Sequence, residues 1–181
     1  VHDMATATSW LARLENAEQR FCQRVNRGCE RPRGLWPFAT VSRLGHGMFW
    51  YGLMLALPFW YGSAGIVVAL QMAGVGLAGL VLYRMLKERL VRERPCNLHP
   101  HIRAGARALD RYSFPSGHTL HAVAFTLVAT STFPELGWLL VPFAVLVAMS
   151  RVVLGLHYPS DVAAGALLGA LLAQVALGFG S

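Results

Sequence analysis

Residues 136–154 read LGWLLVPFAVLVAMSRVVL and contain one charged side chain, that of Arg151. As a helix, this stretch would extend about 28 Å, close to the roughly 30 Å thickness of a bilayer's hydrocarbon core. An unpaired arginine inside hydrocarbon costs roughly 2.5–3.5 kcal/mol, so Arg151 should face a polar site. The stretch therefore predicts a membrane-spanning helix with a polar site near its end. Four other apolar stretches have a similar length, at about 40–60, 64–86, 116–133 and 160–180.

The composition is also that of a membrane protein. Hydrophobic residues make up 55% of the 181-residue chain and charged residues 14%, well below the charged share of ordinary soluble domains. We therefore predict an all-α, integral-membrane helical bundle with five transmembrane helices. It forms a single domain over residues 1–181, with the transmembrane part at 40–180. The short links at 61–63 and 133–135 predict helical hairpins, and the small residues of the last stretch predict close helix packing.

Residues 7–27 have the pattern of an amphipathic helix that lies in the membrane interface. Apolar side chains recur at helical spacing on one face. Arginine and glutamate side chains, Glu18 among them, are predicted on the opposite, polar face. A soluble helix that packs on a core is the alternative interpretation. The apolar face consists of Trp10, Leu11, Leu14, Ala17, Phe21 and Val25.

The positive charge lies on one face of the predicted membrane protein. With five spans, all 16 Lys and Arg residues fall on, or within about a turn of, the side where the first span starts. The net charge of +7 favours membrane lipids and a phosphorylated lipid substrate as partners. Nucleic acid is not expected as a partner, because the sequence shows no soluble domain that could bind it. In the loop between spans, Arg103, Arg107 and Arg111 recur every four residues and are candidates for binding a lipid headgroup.

Three clusters of polar residues lie on that same face. In the first cluster, Lys87 and Arg94 are seven residues apart, so both side chains project from one face of a helix. Pro95 then helps to end the helix. Alone this cluster carries little weight, because basic side chains often extend from helix ends towards water.

The second cluster is Pro-Ser-Gly-His at residues 115–118, where a span begins. The first turn of a helix has free N–H groups and a positive dipole end, which attract anions. Ser116 adds a hydroxyl donor, and Gly117 lets an anion approach the backbone closely. His118 can donate or accept a proton. A capped helix start with an incidental histidine is the alternative.

The third cluster joins the last two spans, from Ser150 and Arg151 to His157 and Asp161. The histidine and the aspartate are four residues apart, close enough for the carboxylate to hold one imidazole nitrogen. This contact would fix the tautomer and leave the other nitrogen as a stronger nucleophile.

In this order the clusters resemble the type 2 phosphatidic acid phosphatase family, which shares its site with bacterial acid phosphatases and vanadium haloperoxidases. The family pattern is Lys-x6-Arg-Pro, Pro-Ser-Gly-His and Ser-Arg-x5-His-x3-Asp, and residues 87–161 match every defining position. The resemblance implies that His157 attacks phosphorus and forms a phosphohistidine, with Asp161 orienting it. His118 would protonate the leaving oxygen and then activate water. The phosphoryl oxygens would be bound by Lys87, Arg94, Ser116, Gly117 and Arg151.

The predicted activity is hydrolysis of a lipid phosphate or diphosphate without a cofactor or metal ion. The expected substrates are phosphatidylglycerophosphate, phosphatidate or a polyprenyl (di)phosphate. A phosphotransferase with a polyprenyl diphosphate donor remains an alternative, because it would use the same intermediate. The apolar spans argue against a soluble acid phosphatase. The intact His118, His157 and Asp161 argue against a non-catalytic lipid-binding or transport protein.

Polar residues outside the clusters give weaker indications. His99 and His101 have only Asp110 as a carboxylate in their loop, so we predict no metal site there. The three cysteines have neither the even number of a disulfide framework nor the spacing of a zinc site. We interpret His46 and His121 as packing or interfacial residues.

The basic face gives conflicting indications of sidedness. The positive-inside rule places it in the cytoplasm, even when Lys87, Arg94 and Arg151 are set aside for catalysis. Bacterial members of the resembled family usually act on the outer face of the inner membrane. We expect a multi-pass protein of the bacterial inner membrane with its site on the cytoplasmic face, and an outward site is the alternative. No residue specifies the lipid chain or the oligomeric state.

Overall fold

The computed structural model describes residues 2–27, 32–108 and 110–178, with side chains from residue 13 onwards except at 32–34. Every regular element in this part of the chain is helical. A π-helical turn, Leu44–Met48, joins the second helix to the third, and a 3-10 turn, Pro134–Leu136, precedes the sixth. The α-helices are α1 (His2–Asn26), α2 (Pro32–Arg43), α3 (Phe49–Leu90), α4 (Pro95–Leu98), α5 (Gly117–Thr132), α6 (Gly137–Val153) and α7 (Pro159–Gly178).

Helix α3 reverses direction at Gly62. A straight helix of its 42 residues would extend about 63 Å, twice the thickness of the hydrocarbon core. Gly62 has φ 57° and ψ −131°, which no helix contains. A Cβ atom on Gly65 would lie 2.1 Å from the carbonyl oxygen of Leu57, and these two residues meet only because the chain folds back. The first arm (49–61) and the second arm (63–90) therefore form the first predicted hairpin.

Helix α5 lies at the centre of the bundle, where it contacts α3, α6 and α7. Leu120 and Val128 on this helix are fully buried. The outer faces of the surrounding helices expose large apolar side chains such as Leu55, Phe59 and Trp138. Such a surface is unfavourable in water and suits contact with lipid.

Small residues let α7 approach α5 closely, as predicted. A Cβ atom on Gly165 would lie 2.5 Å from the carbonyl oxygen of Ser116, and one on Gly169 would lie 2.3 Å from that of Leu120. The Ser116 N–H also donates to the carbonyl oxygen of Asp161 at 3.0 Å. This packing brings together the first turns of two helices that carry predicted site residues.

Three helical stretches of the described chain are long and apolar enough to cross a membrane. The first contains both arms of α3, so the protein has the character of a multi-span membrane protein. Helix α5 has 16 residues and is about 24 Å long, shorter than the hydrocarbon core. The number of five spans therefore stays a prediction. The three stretches are Leu35–Leu98, Pro134–Val153 and Pro159–Gly178.

Helix α1 begins at His2 and covers residues 7–26 of the segment predicted to be helical. Leu14 and Phe21 are exposed, as side chains that contact lipid would be. The side chains of Trp10 and Leu11 lie outside the described residues. The location of α1 in the membrane interface stays a prediction.

The predicted polar face of α1 is partly buried, which corrects our interpretation of Glu18. Glu18, Cys22 and Asn26 recur every four residues, and each is at most 6% exposed. The Asn26 amide donates to the carbonyl oxygens of Arg103 and Val153, both at 2.9 Å. This face of α1 is buried because it packs on the loops that connect the other helices at one end of the bundle.

Replacing Gly169 by alanine should destabilise the bundle by about 1–3 kcal/mol, because the added methyl group overlaps the α5 backbone. Gly74→Ala is a matched control, since nothing lies within 4 Å of a Cβ atom there. Its higher helix propensity should slightly stabilise the protein. Thermal unfolding of both variants in one detergent, followed by circular dichroism, measures the difference. Equal midpoints would contradict the close packing of α5 and α7.

Candidate active site

Three buried cations meet at one end of the bundle. Lys87 lies in the last turn of α3, Arg94 precedes α4, and Arg151 lies in the last turn of α6. Their exposed fractions are 6%, 1% and 3%, and all three line one cavity of about 500 Å³, the main cavity. Burying several positive charges together is unfavourable unless anions compensate them. This end of the bundle is therefore suited to bind an anion.

Among the described residues that line the main cavity, Asp110 is the one carboxylate. Its Oδ2 accepts a hydrogen bond from Lys87 Nζ at 2.7 Å, and its backbone carbonyl accepts one from Arg94 Nε at 2.9 Å. Arg151 donates instead to the hydroxyl of Ser42. One carboxylate does not neutralise three buried cations, so the cluster keeps a net positive charge.

His157 lies in the turn between α6 and α7, where Gly155 adopts a left-handed φ of 70°. The imidazole is 1% exposed, and its Nε2 lies 3.3 Å from Nη1 of Arg94, beside the main cavity. Burial and the nearby positive charges, that of Arg151 first, lower the pKa of His157 well below its ordinary value. The neutral ring keeps a lone pair, which a nucleophile requires.

Asp161 lies in the first turn of α7 and is fully buried beside the His157 ring. Its Oδ2 lies 3.6 Å from Nδ1 of His157, beyond hydrogen-bond distance. Nδ1 has no hydrogen-bond partner among the described residues, and Oδ2 accepts the N–H of Tyr158 at 2.8 Å. The structure thus brings the predicted pair together without a hydrogen bond. Such contacts often shorten when substrate binds.

His118 lies in the first turn of α5 and stacks on His46, with ring centroids 5.3 Å apart. Both rings line the main cavity, as does Gly117. Ser116 does not line it, and its hydroxyl lies 3.0 Å from that of Thr119. The second motif therefore contributes Gly117 and His118 to the cavity wall, whereas Ser116 lies behind it.

Little in the sequence indicates that His46 belongs to the site. It lies in the π-helical turn Leu44–Met48, and such turns occur frequently at functional sites. In the sequence, only the flanking Gly45 and Gly47 suggest that the helix is irregular at His46. His121, in contrast, contacts backbone carbonyls of α5 and α3, which agrees with a packing role, although it also lines the main cavity.

Two further residues, Glu18 and Arg92, hold Asp161, and no sequence pattern marks either of them as part of the site. Arg92 Nη1 donates to Oδ1 of Asp161 at 2.6 Å, and its Nη2 donates to Oε2 of Glu18 at 2.8 Å. Oε1 of Glu18 accepts the N–H of Ser160 at 2.6 Å. The two carboxylates are 7% and 0% exposed, so these ion pairs are largely shielded from solvent. Helix α1 therefore helps to place Asp161 beside His157.

The three loop arginines have different surroundings, and the described residues of 99–116 contain no helix. Arg107 lines a second, smaller cavity. Arg111 Nε lies 3.7 Å from a carboxylate oxygen of Glu93, and the backbone of Arg103 bonds to the side chain of Asn26. Headgroup binding by these arginines stays a prediction.

Within residues 2–27, 32–108 and 110–178, no three His, Cys, Asp or Glu side chains are grouped so that they could hold a metal ion. His99 lies 3.0 Å from the amide nitrogen of Gln19. Burial, followed by the charges of Glu18 and Asp161, raises the pKa of Cys22 to about 12. Its thiol therefore stays protonated and has a packing role.

Comparison with known proteins assigns the family. Residues 60–180, which include all three motifs, match the sequence model of the PAP2 superfamily. The chain belongs to this superfamily. The family predicted from the motifs is thereby confirmed.

Curated PAP2 relatives cover part of the chain. The chain is 33% identical to undecaprenyl-diphosphatase BcrC of Bacillus subtilis over 130 residues. This match covers 71% of this chain and 64% of the relative. It is 40% identical to decaprenylphosphoryl-5-phosphoribose phosphatase of Mycobacterium tuberculosis over 105 residues. This match covers 57% of this chain and 56% of the relative. The chain thus spans less than two thirds of the length of these relatives.

Solved PAP2 structures share the fold. A transmembrane PAP2-type phosphatidylglycerolphosphate phosphatase from Bacillus subtilis matches with a TM-score of 0.75 and 25% identity, covering 92% of this chain and 85% of that one. Aquifex aeolicus LpxE has the same TM-score with 24% identity, covering 88% and 93%. The predicted all-α membrane fold is therefore confirmed.

Replacing Glu18 by glutamine should lower kcat roughly tenfold and leave KM nearly unchanged. The neutral amide weakens the hold on Arg92 and hence on Asp161, while the cations of the main cavity stay in place. Steady-state release of phosphate from a lipid phosphate measures both constants. Glu15→Gln, an exposed change on the same helix, is the control. A lower melting temperature with an unchanged kcat would show that Glu18 is only structural.

Proposed function

We propose that this PAP2 protein is a phosphatase that hydrolyses a lipid phosphate or diphosphate. The observation that carries the proposal is one cavity lined by the neutral, buried His157 and by the three buried cations. Phosphoryl transfer depends mostly on positioning and on stabilising the charge of the phosphoryl oxygens. A nucleophile beside a cationic cluster meets both requirements.

The remaining lining of the main cavity supports a lipid substrate. It is largely apolar, with side chains from both arms of α3 and from α5, and such a wall suits a hydrocarbon chain. The names of two relatives, undecaprenyl-diphosphatase BcrC and a lipid A 1-phosphatase of Rhizobium johnstonii, refer to lipid substrates. Phosphatidylglycerophosphate, phosphatidate and polyprenyl (di)phosphates are the proposed substrates. The apolar side chains are Trp50, Met54, Leu77, Leu80 and Phe125.

In the first proposed step, His157 Nε2 attacks the phosphorus atom. The nitrogen lone pair forms the N–P bond while the P–O bond to the lipid breaks. His118 donates a proton to the departing oxygen. Asp161 balances the positive charge that develops on the imidazole. The buried cations stabilise the phosphoryl oxygens, with Lys87 exchanging Asp110 for phosphate.

In the second step, His118 accepts a proton from water as the water oxygen attacks the phosphohistidine. The N–P bond breaks, its electron pair returns to His157, and inorganic phosphate leaves. Side chains supply the nucleophile, the acid and base, and the charge stabilisation. The proposed reaction therefore uses no metal ion and no cofactor.

Purified protein should release phosphate from phosphatidate or a prenyl diphosphate in the presence of EDTA, and His157→Ala should lower the rate at least ~1000-fold. Phosphate release and trapping of ³²P-labelled phosphoprotein measure the two steps. His101→Ala is the control, because His101 is exposed and lies outside the cavity lining. Activity in His157→Ala would refute the nucleophile, and inhibition by EDTA would refute the metal-free reaction. Release that requires an acceptor lipid would indicate a phosphotransferase.

We further propose that the protein lies in the bacterial inner membrane with its catalytic end at the cytoplasmic face. The positive-inside rule supports this orientation, because the opposite end carries no Lys or Arg in the sequence. At that end Tyr61 stacks on Phe133 with ring centroids 3.8 Å apart, and its hydroxyl donates to Glu135 at 2.8 Å. These contacts join the two short links between helices.

Cysteine labelling tests this orientation in a background with the native cysteines replaced by serine. In intact cells, an impermeant maleimide should label Ser63→Cys, because the exposed link between the arms of α3 would be external. Arg89→Cys, exposed at the catalytic end, should react only after the membrane is permeabilised. The reverse pattern would place the site on the outer face.

A further inference from the structure

A second cavity, of about 210 Å³, adjoins the main one at the predicted acid–base residue. His46, His118 and Arg151 line both cavities. The other walls come from the end of α2 and from loop residues 105–107. This volume is large enough for a phosphate group.

The lining of the second cavity is strongly basic. Arg43 and Arg107 join Arg151 there, and no described carboxylate is part of the lining. Within the described residues, neither Arg43 nor Arg107 forms an ion pair. In the main cavity Asp110 neutralises one cation, whereas here no acidic group does so. The second cavity therefore favours an anionic ligand.

A buried donor without an acceptor indicates the same class of ligand. Arg151 is 3% exposed, and its Nη1 donates to the hydroxyl of Ser42, which also lines the second cavity. Its Nε has no hydrogen-bond partner in the described part of the chain. Leaving such a donor unpaired in a protein interior is costly. An oxygen atom of a bound anion would satisfy it.

We propose that the second cavity binds a second phosphate group, next to the one that is transferred. Arginine side chains form paired hydrogen bonds with phosphate oxygens, which suits Arg43 and Arg107 to this ligand. Two sources share this chemistry. One is the inner phosphate of a lipid diphosphate, and the other is free phosphate released by the reaction.

The location favours the lipid diphosphate. This step rests on the proposed function, in which His118 protonates the leaving oxygen on the side of phosphorus opposite His157. A ligand group attached to that oxygen therefore lies next to His118, which lines the second cavity. In a lipid diphosphate whose outer phosphate is transferred, the attached group is the inner phosphate. A lipid monophosphate places no anion there.

The test compares farnesyl diphosphate with farnesyl phosphate, which differ by one phosphate group, as substrates of the full chain in lipid nanodiscs. Arg43→Gln and Arg107→Gln should each lower kcat/KM for the diphosphate about tenfold more than for the monophosphate, as expected for one lost charged hydrogen bond. Arg89→Gln is the matched control, since Arg89 is exposed and lines neither cavity. Its ratio of the two kcat/KM values should equal that of the wild type.

Inhibition by inorganic phosphate, measured with farnesyl phosphate as substrate, distinguishes the two sources. A selective loss for the diphosphate assigns the second cavity to the lipid diphosphate. An unchanged substrate ratio with about tenfold weaker inhibition assigns it to free phosphate. If neither quantity changes in an active variant, or if Arg89→Gln changes them equally, the second phosphate site is refuted. A wild type that releases phosphate from phosphatidate but from neither farnesyl substrate would refute this inference alone. A wild type that releases phosphate from none of the three would refute the proposed phosphatase as well.

Discussion

Burial of several like charges in one small volume is the constraint on which the rest of this structure depends. Lys87, Arg94 and Arg151 come from three separate segments, and their mutual repulsion opposes the packing of those segments. Asp110 compensates part of this charge. Its carboxylate accepts a hydrogen bond from Lys87, and its backbone carbonyl accepts one from Arg94. The close contact of α5 with α7 supplies packing that holds this end of the bundle together. A bound phosphate group would supply the rest of the negative charge.

The same constraint explains how much the sequence could predict. A charged residue such as Arg151 stands out in an apolar stretch, because hydrocarbon tolerates it only at a polar site. The three motifs therefore identified the three buried cations of the main cavity, together with Gly117, His118 and His157. The hairpins were predictable as well, since spans joined by a few residues have to run in opposite directions. Gly62 and the packing of Gly165 and Gly169 agree with those expectations.

Contacts between distant segments could not be predicted. Glu18 and Arg92 are 74 positions apart, and neither is unusual beside its sequence neighbours. A carboxylate on an arginine-rich helix is typical of a solvated face, and Arg92 has the spacing of a residue that extends to the membrane surface. Their shared function depends on how α1 packs against the turn before α7. The position of Ser116 behind the cavity wall likewise depends on helix packing, which its motif does not encode.

The ion pair between Asp110 and Lys87 has a consequence for turnover. Because the Asp110 carboxylate already pairs with Lys87, a phosphate group that binds there in the proposed reaction would have to displace a resident anion. The free energy of the lost ion pair would then reduce the net free energy of phosphate binding, so the affinity for phosphate would stay moderate. Asp110 lies in a connecting loop with its side chain 35% exposed, so it has room to move aside and return. In the proposed reaction, its return to Lys87 would assist departure of the product, which a permanently unpaired cationic cluster would retain.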